Sequence, residues 1–317
     1  MHDAVFAMLA RSREPIALST IAARPGSSVV LAFGRSNAFP LWAAKIALTA
    51  DSAALLRREY AALETLRPWA SRLNIPVTLE WTGTAPSCLV TSGVSGRVYP
   101  ITLPVETGSR VDGRRLRAAV DWLRLLQSTV PIDALGRDSC GADADDLQEL
   151  EREADRSPDI PELHGLCEWL RHTGDARTRT ASHGDYWAGN ILFAAGRDGE
   201  HPGVIDLEGF RARDRFHDLL SLFTACNYFV DRKMHDRLSA ARFFQLFFSE
   251  GPAARFIRAS LRELQPTEPE LRRAFYLFIG NSVRVKGPTY RSSWAQIVRE
   301  LAKRRFPAPW SATVPES

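Results

Sequence analysis

Apolar positions come in short runs broken by turn residues as far as residue 93, and beyond that point they recur mostly at helical spacing. Residues 3–12 read as a short amphipathic helix, and IALSTIA (16–22) as a strand ended by the turn at Pro25-Gly26. SVVLAFG (28–34) and FPLWAAKIAL (39–48) flank Arg35-Ser36-Asn37 and predict a hairpin. In 50–66, Leu55, Leu56, Tyr60, Leu63 and Leu66 follow helical spacing, with Asp51 or Ser52 as the N-cap. IPVTLEW (75–81) and SCLVTSG (87–93) predict two more strands, and Gly93 and Gly96 then break the pattern.

From Asp112 to Val130 the spacing predicts an amphipathic helix capped near Asp112, with Leu116, Val120, Leu123 and Leu126 on its apolar face. Helices are expected at 145–156 and 161–173, separated by Ser157-Pro158, and again at 217–231, 235–249, 253–264, 268–285 and 292–305. One segment interrupts them. NILFAAGRDGEHPGVIDLEGF carries two short apolar strands around a Gly/Asp/Pro turn, so a hairpin lies embedded among helices. The Pro-rich end after Phe306 reads as irregular, and the chain has no internal repeat or low-complexity stretch.

The candidate chemistry sits on that hairpin. His183-Gly184-Asp185 precedes Asn190-Ile191-Leu192, and the return strand ends on Asp206, so one end of the hairpin brings Asn190 and Asp206 together. One amide oxygen and one carboxylate make a poor all-protein cage for Mg²⁺. They suit an ion that keeps waters and takes further ligands from nucleotide phosphates. Asp185, in a tight loop opened by Gly184, is placed to accept a proton from a hydroxyl. Together these are the parts that phosphoryl transfer needs.

HGDxxxxNIL followed by VIDxE resembles the aminoglycoside phosphotransferase and choline kinase superfamily, relatives of the protein kinases. The resemblance covers most of the chain because upstream parts occur in order. Lys45 in LWAAKIAL resembles the strand lysine that holds α- and β-phosphates, Glu59 its ion-pair partner, and LVTSG, with Thr91 and Gly93, the hinge whose backbone binds adenine. The resemblance implies an α+β, two-lobed protein-kinase-like fold. A small β-rich lobe over 1–92 would carry the nucleotide-binding sheet and helix. A larger helical lobe over 93–317 would carry the catalytic loop, the metal site, the acceptor site and a helical insertion at about 112–178. It implies ATP and Mg²⁺ as cofactors, Asp185 as catalytic base, and Asn190 and Asp206 as metal ligands. His183 then braces the catalytic loop, Trp187 packs in preference to stacking on substrate, Asp218 ties its helix to that loop, and Glu208 either orients the metal shell or substrate or faces solvent. No GxGxxG precedes Lys45. If 16–22 is the first strand, the phosphate cover is the turn at Pro25, Gly26, Ser27 and Ser28; otherwise it is Gly34-Arg35-Ser36-Asn37.

Composition narrows the classes. An apolar fraction of 45% with 25% charged residues is that of a globular chain, which excludes disordered and fibrous classes. No run of 18 apolar residues occurs, so no membrane span is expected. The start carries Asp3 and a short apolar run unlike a secretory signal, so a cytoplasmic location is expected. Cys88, Cys140, Cys167 and Cys226 form no CxxC pair and read as reduced, buried small hydrophobes. Between Asp143 and Glu162 there are nine acidic residues against two arginines, and from Arg215 onward 17 Lys+Arg against nine Asp+Glu. The bland account is two solvated faces. The functional one is a basic wall, with Arg284-Val285-Lys286 and Arg291, for an anionic acceptor such as a sugar phosphate or peptide. The leading expectation is an ATP-dependent kinase acting on a hydroxyl of a small molecule or short peptide. The alternatives are an aminoglycoside resistance kinase, for which the acidic segment would receive an amine, and a kinase-like nucleotide-binding scaffold working with a partner protein. Nucleic acid is an unfavoured partner, and the aromatic residues at 216–248 are core at helical spacing.

Overall fold

Period-two alternation decides the first sheet. The strands β1 (Ile16–Ala22), β2 (Ser27–Gly34), β3 (Trp42–Ala47), β4 (Thr78–Thr82) and β5 (Ser87–Ser92) form one antiparallel sheet in the order β1-β2-β3-β5-β4. In β2 and β3 the alternate residues Val30, Ala32, Trp42 and Ala44 are buried against Ala4 and Val5 of α1 (Asp3–Arg11). The other face of the same strands carries Val29, Leu31, Ala43 and Lys45 into a cavity. This computed structural model describes residues 3–12, 16–22, 25–99, 101, 113–135, 142–173, 179–196, 199–226, 240–285 and 288–303.

Strand and helix starts depart from the sequence expectations for local reasons. β3 begins at Trp42 and β4 at Thr78 because Pro40 and Pro76 lack the N–H a ladder requires. Helix α2 (Ala50–Leu66) has the expected span, but its N-cap is Thr49, not Asp51 or Ser52. Thr49 is extended, its Oγ1 accepts from Ser52 N, and Ser52 Oγ accepts from Thr49 N, which makes Ser52 the N3 residue of a capping box. A 3₁₀ turn and the short α3 (Ala70–Leu73) follow, closed by Asn74 at φ 49°.

Further along, β6 (Arg97–Val98), α4 (Gly113–Thr129), α5 (Ala142–Arg156), α6 (Glu162–His172) and β7 (Arg179–Ser182) precede the embedded hairpin. That hairpin is β8 (Ile191–Gly196) with β9 (Gly199–Val204), and β6 adds to β8 as a third strand. The chain then runs through β10 (Arg211–Asp214), α7 (His217–Cys226), α8 (Ala240–Phe248), α9 (Pro252–Arg262), α10 (Glu268–Val285) and α11 (Pro288–Lys303). Leu116, Val120, Leu123 and Leu126 of α4 are all buried, as the spacing predicts. Asp112, Cys140, the span 227–239 with Tyr228 and Phe229, Lys286, the side chains of Arg284 and Arg291, and the Pro-rich end lie outside the described residues.

Two compact units make up the chain: Met1–Tyr99 with Asp121–Leu135 and Ala181–Arg211, and Pro100–Val120 with Gly136–Thr180 and Ala212–Ser317. The second is held by aromatic packing. Phe243, Phe247, Phe275 and Trp294 are fully buried, with ring centroids 4.7 Å apart for Phe243–Phe247 and 5.2 Å for Phe247–Phe275. These rings are core, each contributing about 1.5–3 kcal/mol by burial. Neither charged segment is simply a solvated face. Asp146 and Glu153 of α5 are buried, with Glu153 accepting from Ser157 Oγ. Arg273 is buried and donates to the Leu170 carbonyl, buried Arg258 pairs with Glu250, and Arg215 pairs with Glu270.

Cys88, Cys167 and Cys226 are buried free thiols, and burial pushes the first two up to about 11 and the third higher still. Reactivity needs the thiolate. In the native protein at neutral pH, all three should escape maleimide labelling over the period in which a denatured sample labels completely, as peptide mass spectrometry would show. Labelling of Cys226 in the native state would contradict its burial.

Candidate active site

The site is assembled within the first unit from three segments far apart in sequence. Lys45 enters the cavity because alternation in β3 turns it away from the α1 face. Its Nζ donates to Glu59 Oε1 and Oε2 of α2, both at 2.7 Å, and to Asp206 Oδ1 at 2.8 Å. Glu59 is nearly fully buried, with 3% of its side chain exposed against 26% for Lys45 and 24% for Asp206. Burial alone would push the Lys45 ammonium down. The charges of Glu59 and Asp206, with their hydrogen bonds, outweigh it, so its pKa stands above the ordinary lysine value. A raised lysine pKa stabilises the fold below the unfolded value, and that contribution is lost only as pH rises through the folded one. Lys45 therefore stays charged throughout the neutral range.

The hairpin sets the rest. Ile191 pairs with Val204, and Ile205 N donates to the Asn190 carbonyl at 3.1 Å, so Asn190 and Asp206 leave the same end. Asp206 sits at φ 67°, ψ 61°, a left-handed conformation that aspartate tolerates better than most residues and that turns the chain into a 3₁₀ turn at Leu207–Gly209. Asn190 Nδ2 donates to the Asp185 carbonyl at 2.9 Å and to Asp185 Oδ2 at 3.4 Å, which leaves Asn190 Oδ1 as an acceptor. His183 is buried. Its Nε2 meets the Ile205 carbonyl at 2.9 Å, while the Asp185 amide donates to Nδ1 at 3.3 Å, so the proton belongs on Nε2. One ring thus joins the loop of Asp185 to the strand end before Asp206, a bracing geometry. Tyr186, also buried, stacks on Trp122 at 5.4 Å, and Trp122 Nε1 donates to the Leu73 carbonyl at 2.6 Å.

Gly184 is required by sterics. It lies at φ +86°, and a Cβ there would stand 2.0 Å from the Gly209 carbonyl oxygen. Gly184→Ala should therefore destabilise the protein by at least about 2 kcal/mol, or roughly 5 °C in Tm. Gly165→Ala, which meets nothing within 4 Å, serves as the matched control and should cost nothing. A normal melting temperature for Gly184→Ala would contradict the described loop.

The cavity holds about 640 Å³ and is lined by Lys45, Glu59, Asn190, Asp206 and Glu208, by Ser27 and Ser28, by Thr91 and Gly93, and by apolar walls including Ala43, Ile46, Leu192 and Ile205. Of the residues expected to bind nucleotide, hold metal or act in catalysis, Gly26 and Asp185 are not in its lining. Gly26 shapes the turn at φ +80°, and Asp185 is exposed, one hydrogen bond away through Asn190. β1 is the first strand, so the turn at Pro25-Gly26 leads directly into Ser27 and Ser28 of the lining, whereas Gly34–Asn37 joins β2 to β3 at the far end of β2. Thr91 lies buried in β5, and the Gly93 N–H donates to the Leu41 carbonyl at 2.8 Å. Two features escaped sequence reasoning. Ser52 lines the cavity beside the turn, with no signal beyond its place three residues after Thr49. Asp206, 161 residues from Lys45, shares the lysine with Glu59.

Asn190 Oδ1 and the Asp206 carboxylate are hard oxygen donors of the kind Mg²⁺ takes. Two such donors suit an ion completed by water and by phosphate oxygens, and among the described residues no group of three or more His, Cys, Asp or Glu could hold a metal on its own. Among the same residues, no helix is long and apolar enough to cross a membrane.

Comparison with known proteins shows the family and the fold. The family model described as APH, phosphotransferase enzyme family, matches residues 36–269, well over half of the chain. No curated protein matches. Among solved structures, the streptomycin–ATP ternary complex of APH(2")-IIa is 16% identical with a TM-score of 0.57, covering 96% of this chain and 97% of that one. APH(3'')-Id from Streptomyces rimosus is 20% identical with a TM-score of 0.51, covering 87% and 97%. Aminoglycoside-3'-phosphotransferase of type VIII is 19% identical with a TM-score of 0.52, over the same shares. The fold is the kinase-like one of aminoglycoside phosphotransferases, with a β-rich N-terminal region and a helical C-terminal part, α+β as the sequence implies.

Proposed function

This chain belongs to the phosphotransferase enzyme family, and from that premise we propose that it moves the γ-phosphate of ATP to a hydroxyl of a small molecule or short peptide. The observation that carries this reading is the Lys45–Glu59–Asp206 junction inside a cavity of nucleotide size. ATP is the donor favoured by the ligand of the streptomycin–ATP complex. Lys45, fixed by Glu59, offsets the negative charge of the α- and β-phosphates. Ser27 and Ser28 face the same phosphates from the turn, and Ala43, Leu192 and Ile205 flank the base. Because the Gly93 N–H is taken by Leu41, the base meets the hinge through the Gly93 carbonyl or through residues 94–96. Asn190 and Asp206 would hold Mg²⁺, which supplies charge neutralisation at the phosphate oxygens. Asp185 orients the acceptor hydroxyl and takes its proton as the oxygen bonds to the γ-phosphorus and ADP leaves. Positioning and charge supply most of the rate.

For the acceptor, the basic surplus after Arg215 supports an anionic hydroxyl compound, although Arg215, Arg258 and Arg273 are already engaged within their own unit. A polycationic aminoglycoside is the second reading, supported by the streptomycin of that same complex. ADP release from Mg·ATP should be measured across aminoglycosides, choline and ethanolamine, neutral sugars, sugar phosphates and Ser/Thr peptides. One class should raise release in the native protein alone and not in Asp185→Asn. Release that is equal in both proteins for every class would sink the proposal.

A further inference from the structure

The phosphate turn of this protein lacks the flexible glycine-rich cover and is instead pinned. The Gly26 carbonyl accepts from Leu48 N at 2.7 Å and from Ser52 Oγ at 2.7 Å. The Thr49 carbonyl at 3.0 Å and Thr49 Oγ1 at 2.9 Å are the competing acceptors for that single hydroxyl proton, and Gly26 offers the shortest contact of the three. Gly26 also lies flat on the Thr49 side chain, where a Cβ would stand 2.7 Å from Thr49 Oγ1. On its other side the turn runs into β2, whose register sets Ser27 opposite Ala47, Ser28 opposite Ile46 and Val29 opposite Lys45. Ser52 and Glu59 are seven residues apart on α2, so they share a face two turns apart, and both are buried and line the cavity.

We infer that Ser52 is a positioning residue that latches the Pro25–Ser28 turn to the first turn of α2, fixing the spacing between the phosphate-facing serines and the Lys45–Glu59 pair. The inference rests on the nucleotide reading of the cavity. With the latch closed, turn and helix form one body held by the β2–β3 register and by α2, and no lid has to order on binding. The entropic cost that a glycine-rich loop meets when it closes on phosphates is thereby avoided. Because the latch acts on the turn, its loss should be felt by the phosphates and not by the base, whereas loss of the Ser52 cap alone would lower Tm without favouring one ligand over another.

Calorimetric titration of native protein and Ser52→Ala with adenosine, Mg·ADP and Mg·ATP reads this directly. The expected result is adenosine affinity within about twofold of native and a Kd for Mg·ATP raised about five- to tenfold, the size of one lost hydrogen bond. Gly26→Ala, which opens the latch from the other side, should repeat the pattern, and the double variant should lose little more than either single one. An equal loss for all three ligands, or a lowered Tm with unchanged preference for Mg·ATP over adenosine, would reduce Ser52 to a helix cap and overturn the inference. Native protein that binds none of the three would overturn the nucleotide reading itself.

Discussion

Asp185→Asn should lower phosphate transfer by about three orders of magnitude while leaving the Kd for Mg·ATP within a few fold. The substitution keeps size and shape, and the Asn190 bond to the residue 185 carbonyl survives because it uses the backbone. What disappears is the exposed carboxylate proposed to take the proton. Asp185 is exposed and lies outside the cavity lining, so nucleotide binding has no reason to change. Single-turnover kinetics with whichever acceptor proves active, alongside a binding titration, separates the two effects. Retained turnover would remove Asp185 from the chemistry. A parallel loss of affinity would make it a binding residue.

Lys45→Met is the second large effect, and it should strike activity and stability together. Glu59 has 3% of its side chain exposed, and Lys45 is the partner that offsets its burial. Removing one member of a buried pair costs about 3–5 kcal/mol in general. Here Lys45 and Asp206 keep about a quarter of their side chains in solvent, which puts the expected loss at the lower end. kcat/KM should fall by about 10²–10³, the scale of one lost electrostatic contact in a catalytic site. Glu59→Gln alone should be milder, because Asp206 still holds the ammonium. An unchanged kcat/KM in Lys45→Met would exclude the lysine from the site.

How far the sequence alone reached is clear from particular residues. The helix at 50–66 and the strand at 16–22 match the structure end to end, since both rest on local periodicity. The hairpin that pairs Ile191 with Val204 was legible from two apolar runs around a turn, and with it the nearness of Asn190 and Asp206. Lys45 and Glu59 could be paired in advance only through the family resemblance. Contacts that close over long separations were not legible. No local pattern announces that Gly184 must pass against Gly209, that Trp122 lies under Tyr186, or that Asp206 meets Lys45. Three adjacent residues, Thr49, Asp51 and Ser52, all suit an N-cap by type, and only the extended backbone of Thr49 assigns the cap to it. The charge runs misled in the same way: composition counts Asp146 and Arg273 as surface, whereas packing buries both.

We propose that one cavity holds nucleotide phosphates between Lys45, Asn190 and Asp206. Titration of native protein and Asp206→Ala with ATP, each with and without Mg²⁺, tests it without any knowledge of the acceptor. The account predicts that Mg²⁺ tightens ATP binding to the native protein by about tenfold or more, and that this gain vanishes in Asp206→Ala. A Mg²⁺ gain undiminished in Asp206→Ala, or no ATP binding in either condition, would contradict it.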